Sequence, residues 1–117
     1  MTNGNDNEPD REAIAAGIAA IWERTRGTVL TRVETINAAA SAANENSLTS
    51  TARHAAFADA HKLSGYPWTF GFGGASKLAA EAEGLLRGEE PLPAGAITRL
   101  TDIAVELQHQ LTAERAA

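Results

Sequence analysis

The chain has 117 residues, enough for one domain with one core. Fifteen acidic against ten basic side chains leave a net charge of -5, which excludes the basic surface that a nucleic acid or an acidic membrane would need. The absence of cysteine excludes a disulfide framework, a thiolate metal site and a thiol nucleophile. The opening residues, MTNGNDNEPD, lack the basic start and apolar run of a signal peptide. Nowhere do eighteen apolar residues run together. The expectation is a soluble protein of a reducing, cytoplasmic compartment.

Alanine is the dominant residue, with 25 copies, while Val, Ile and aromatic residues are sparse, so helix formers far outweigh strand formers. Residues 1–9 read as a disordered tail, and 10–117 as one helical domain. From Pro9-Asp10 a helical stripe runs through Ile14, Ile18, Ile21, Trp22, Val29, Val33 and Ile36 to about Ala43. Gly27 interrupts it, and a kink or break is expected there. Asn44-Glu45-Asn46-Ser47 ends this helix, and the hydroxyls of Thr49, Ser50 and Thr51 offer caps for a second. That second helix runs through Phe57 and His61 to at least Gly65, with Ala52, Ala56, Leu63 and Phe70 on its inward side. Pro67 loosens it, and Gly71, Gly73 and Gly74 form a hinge. A third helix turns Leu78, Ala82, Leu85 and Leu86 inward and stops near Arg87-Gly88. After Pro91-Leu92-Pro93 a fourth carries Leu100, Ile103, Leu107 and Leu111. Short connections make neighbours antiparallel, so the fold expected is all-α: an up-and-down four-helix bundle with an N-terminal helical extension.

The chemistry concentrates around His61. On a helical wheel it lies opposite Leu63, facing solvent, and its neighbours Ala58, Ser64 and Gly65 are all small, so a partner has close access to the imidazole. Asp59 falls on the inward side, where a carboxylate needs a partner. His54 lies one long step up the same face, about 10 Å away, too far to share a metal ion with His61. No metal-ligand spacing is present, and no metal site is expected. The FGFGG run lacks the Lys-Ser/Thr of a phosphate loop. Glu81, Glu83, Glu89 and Glu90 read as solvated surface.

The pattern His61, Leu63, Gly65, Phe70, Gly71, within AHKLSG…TFGF and followed by Ala75-Ser76-x-Leu78-Ala79, resembles the signature of histidine-containing phosphotransfer domains. Trp22-Glu23-Arg24 in the first helix is similar to an element of the same variants. The resemblance spans residues 12–112 and implies a phosphorelay intermediate: His61 accepts a phosphoryl group from a receiver-domain aspartate and passes it to another receiver. It implies a response-regulator receiver or a hybrid histidine kinase as partner. It implies no cofactor of its own, Mg²⁺ belonging to the receiver, and no ATP-dependent kinase activity. Phe57, Ala58, Ser64, Gly65 and Trp68 would form the docking face. Many members carry a basic residue three positions after the histidine, where this chain has Ser64. Lys62 is then the nearest cation and the candidate to assist the phosphoryl group, although at i+1 it lies about 100° around the helix. The alternative is an adaptor of the same fold that binds a receiver or kinase without being phosphorylated. No exposed apolar stripe for self-association is read in the sequence, and a monomer is expected.

Overall fold

The computed structural model describes residues 7–65 and 72–112. Four α-helices follow one another: α1 (Asn7–Asn44), α2 (Ser50–Gly65), α3 (Gly73–Leu86) and α4 (Ala94–Thr112). No strand occurs among the described residues. Each helix packs on its neighbour in the chain, and α1 also packs on α4, which closes the ring of an antiparallel bundle.

α1 begins at Asn7 and takes in Pro9, which is tolerated in a first turn because its missing N–H has no intrahelical acceptor there. It then runs unbroken through Gly27, against the expected break. Glycine costs about 1 kcal/mol in a helix interior, but Val29, Val33 and Ile36 just beyond it are wholly buried, and their packing outweighs that penalty. The end of α1 is sharply defined. Asn46 adopts a left-handed conformation (φ 57°). Behind it, the Ser47 N–H donates to Ala42 O at 2.7 Å and the Asn46 N–H to Ala43 O at 3.1 Å. This is a Schellman closure with asparagine in the place glycine usually takes. The chain then turns into α2, where the Thr49 hydroxyl accepts from the Ala52 N–H at 3.0 Å as an N-cap.

The core is built from Val29, Val33, Ile36, Ala39 and Ala40 of α1 and Ala56, Ala60 and Leu63 of α2. To these α3 adds Ala75, Ala79, Ala82 and Leu86, and α4 adds Leu100, Ile103, Ala104, Leu107 and Leu111. α2 and α3, the most intimately packed pair, meet through fully buried alanines. Small side chains let two helix backbones approach to the short end of the usual 8–10 Å range. Ala52, expected inward, is exposed on the first turn of α2, where Arg53 and Phe57 are turned toward α3 instead. The Arg53 guanidinium reaches across and donates to three carbonyls at and just beyond the end of α3: Leu86 O at 3.0 Å, Arg87 O at 3.2 Å and Glu90 O at 2.6 Å. A cation there satisfies orphan carbonyls and complements the helix dipole.

The glycines do not all serve a hinge. Gly73 and Gly74 form the first turn of α3, and a Cβ on Gly74 would stand 3.2 Å from Gln110 Oε1, pressing on the end of that α4 side chain. Gly71, Tyr66, Pro67 and Phe70 lie outside the described residues. Trp22 is buried and stacks on Phe72, ring centroids 5.0 Å apart. Below Trp22 the expectation that the whole stripe of α1 faces inward fails. Ile14 is 62% and Ile21 41% exposed, with Ile18 half-buried at the edge of the core. The reason is length. α1 has 38 residues against 16, 14 and 19 in its partners, so its N-terminal part projects beyond them. The radius of gyration, 17.6 Å, reflects this; a compact globule of this length would have about 13 Å.

Replacing Ala79 with Leu forces three extra heavy atoms into the α2–α3 seam and should lower stability by about 2 kcal/mol. Urea unfolding followed by circular dichroism measures this; an unchanged midpoint would mean that the alanine seam is not tight.

Candidate functional site

His61 is carried by α2 one turn before its end rather than at mid-helix. As expected it faces solvent, with 69% of its side chain exposed. Its surroundings on α2 are bare. Ala58 and Gly65 are exposed, and a Cβ built on Gly65 would meet nothing within 4 Å. The Ser64 hydroxyl donates back to His61 O at 2.7 Å, so it is engaged with the backbone.

The alanine seam brings α3 alongside. Glu83, expected among the solvated acids, is only 15% exposed, and its Oε2 lies 3.0 Å from His61 Nδ1. A carboxylate oxygen only accepts, so Nδ1 carries the hydrogen and donates it. In the neutral ring this leaves Nε2 with its lone pair. The same Oε2 lies 3.6 Å from Arg87 Nη2, one turn along α3. The Arg87 guanidinium in turn sits over the Phe57 ring at 5.9 Å from its centroid. His61, Glu83, Arg87 and Phe57 thus form one connected group across two helices.

The other named positions are distributed around it. Phe57 is half-buried against the core. Lys62 is exposed and has no ion-pair partner among the described residues, whereas Arg87 shares a carboxylate oxygen with the imidazole; the cation tied to His61 comes from α3. Trp68 lies outside the described residues. Asp59 is half-buried, with Arg32 of α1 as its partner, Nε to Oδ1 at 3.8 Å. Glu81 pairs with Arg99 of α4, and the hydrogen bond from Arg99 holds its carboxyl below the usual carboxylate value.

Beyond Phe57, toward the α1–α2 and α3–α4 loops, a groove of about 690 Å³ opens between Leu48, Arg53, His54, Phe57, Leu92 and Ile97. Its volume is in the range of clefts that hold partner side chains or small ligands. The sequence reading missed this groove and the pair Glu83–Arg87. The pair had a signal: an i, i+4 Glu-Arg couple placed one residue after each of two inward positions, Ala82 and Leu86. The groove depends on where two loops end up and had none.

No helix among the described residues is long and apolar enough to cross a membrane. No family model, no curated protein and no solved structure matches this chain.

Replacing Glu83 with Ala removes the acceptor that selects the Nδ1–H tautomer of His61. Nitrogen NMR of the imidazole in the neutral form should show Nε2 largely unprotonated in the wild type and both tautomers in the variant. Identical spectra would mean that the Glu83 bond does not persist in solution.

Proposed function

We propose that the chain is a phosphoryl carrier of a cytoplasmic phosphorelay, with Nε2 of His61 as the atom that is phosphorylated. The observation that carries this reading is the His61–Glu83 pair: an exposed imidazole on a bare helix face, its Nδ1 occupied by a carboxylate and its Nε2 lone pair free. The resemblance of the His61–Gly71 segment to phosphotransfer domains agrees with it.

In this reading a receiver domain bearing an aspartyl phosphate docks over α2. The Nε2 lone pair attacks phosphorus in line with the acyl-phosphate P–O bond. That bond breaks as the N–P bond forms, and the aspartate leaves as a free carboxylate. The product is a phosphorylated imidazolium, whose new positive charge is shared over a ring that still donates Nδ1–H to Glu83. The reverse steps hand the group to a second receiver aspartate. Positioning and neutralisation of the phosphoryl charge carry most of such a transfer. Arg87 supplies a guanidinium in the same cluster and stands in for the basic residue that Ser64 replaces. Mg²⁺ belongs to the receiver. Phe57, Ala58 and Gly65, continued by the groove beyond Phe57, offer the docking surface.

One observation favours the alternative, a non-phosphorylated adaptor: Arg87 and His61 share a single carboxylate oxygen, a closed arrangement that also suits a static recognition surface.

Incubation with a phosphorylated receiver and Mg²⁺ separates the two. Acid-labile, base-stable phosphate on the wild type, absent from His61→Gln with stability changed by no more than about 0.5 kcal/mol, supports the carrier; no labelling with intact receiver binding supports the adaptor. Glu83→Ala and Arg87→Ala should each slow transfer roughly tenfold, the worth of one charge-assisted hydrogen bond. Gly65→Arg should fold normally and accept phosphate from a small phosphodonor, yet receive little from the receiver.

A further inference from the structure

The groove beyond Phe57 reverses the charge of the chain around it. Its middle is apolar, walled by the half-buried Leu48, Phe57, Leu92 and Ile97. Around these stand Arg53, His54 and Arg87, with a single acid, Glu89. The chain as a whole has a net charge of -5. In the groove two guanidinium groups stand against one carboxylate, which leaves one positive charge in excess with His54 neutral.

The donors of these side chains are not all spent. Arg53 gives three of its five N–H groups to carbonyls, and the other two have no acceptor among the described residues. Arg87 lies 3.6 Å from Glu83, longer than a hydrogen bond, and its side chain is 69% exposed. Its N–H groups are therefore open to a closer acceptor. His54 is exposed, with no hydrogen-bond or ion-pair partner among the described residues.

We propose that the groove binds a small monoanion, a carboxylate on an unbranched apolar chain. Apolar walls with unspent donors at their edge suit a molecule of both characters, and about 690 Å³ is the size of a small-ligand cleft. The excess of one positive charge selects a monoanion, because Glu89 stands against a second negative charge. The carboxylate meets Arg87 and the unspent N–H groups of Arg53, and the chain lies on Leu48, Phe57 and Leu92. From Ser50 to Phe57 the groove follows α2 for about 10 Å, roughly eight carbon–carbon bonds end to end. The site holds whether or not His61 carries a phosphoryl group, although Phe57 and Arg87 belong both to this groove and to the group around the imidazole.

Octanoate is the probe, titrated into the full chain at neutral pH and followed by amide NMR. Shifts at Leu48, Phe57, Leu92 and Ile97 should saturate with one Kd of about 0.5 mM, ordinary for a ligand of about ten heavy atoms. Octan-1-ol should bind at least about fivefold more weakly, and octylammonium at least about tenfold. Arg87→Gln and His54→Glu should each raise the Kd for octanoate about fivefold with melting unchanged, both side chains being exposed. The surface from Ala13 to Ile21, apolar throughout and exposed except at Ile18, is the internal control. Shifts centred there, no saturation by about 10 mM octanoate, equal affinity for octylammonium, or variants that bind as the wild type does would each overturn the proposal.

Discussion

The close approach of α2 and α3 over alanine is the constraint on which the rest of the molecule depends. Ala56 and Ala60 on one side and Ala75, Ala79 and Ala82 on the other have no solvent exposure, and none carries a side chain long enough to hold the helices apart. Because the backbones are close, short connections across the seam become available. Glu83 reaches His61, Arg53 reaches the last carbonyl of α3, and Arg87 reaches Phe57. A seam of leucines would bury more apolar area and set these groups too far apart to touch. The alanine-rich composition is thus tied to the chemistry of the site as well as to the helical fold.

Much of the fold was legible because its signals are local. The stripe of Val29, Val33 and Ile36, the capping hydroxyl of Thr49 and the breaks at Asn44–Ser47 and Pro91–Pro93 each act within a turn or two. Each put a helix boundary within a few residues of its place. Gly27 shows the limit of that reasoning. A helix penalty is a local quantity, and the burial that outweighed it comes from the other helices, which no window on α1 contains. The stripe below Trp22 shows a second limit: periodicity says which side of a helix is apolar but not whether a neighbour is long enough to cover it.

The site divides along the same line. The exposure of His61 and the openness around it follow from the spacing of Ala58, Leu63, Ser64 and Gly65 on one helix. What holds the imidazole, and which nitrogen it leaves free, is a property of a second helix. Glu83 is one of several acids on α3 and around its C-terminus, three of which, Glu81, Glu89 and Glu90, remain exposed, and only the rotation of α3 on the seam distinguishes it. Asp59 was flagged by its inward position, and the need for a partner was real; that the partner is Arg32 follows from the relative height of α1 and α2.

The order of packing around the ring bears on how the bundle assembles. At most seven residues separate α1 from α2, α2 from α3 and α3 from α4 in sequence, so three of the four seams close over small chain separations and the entropy of loop closure is low. Among the main seams of the described residues, α1 against α4 unites the most distant parts of the sequence. A topology weighted to near neighbours favours fast folding, and the α1–α4 seam carries the largest cost of loop closure. The bond from Arg26 to the last carbonyl of α4 lies in that seam. Contacts absent from a transition state act on the unfolding rate rather than the folding rate. A seam that forms only after the transition state would set the lifetime of the folded molecule, and the α1–α4 seam, with the greatest chain separation, is the candidate for that role.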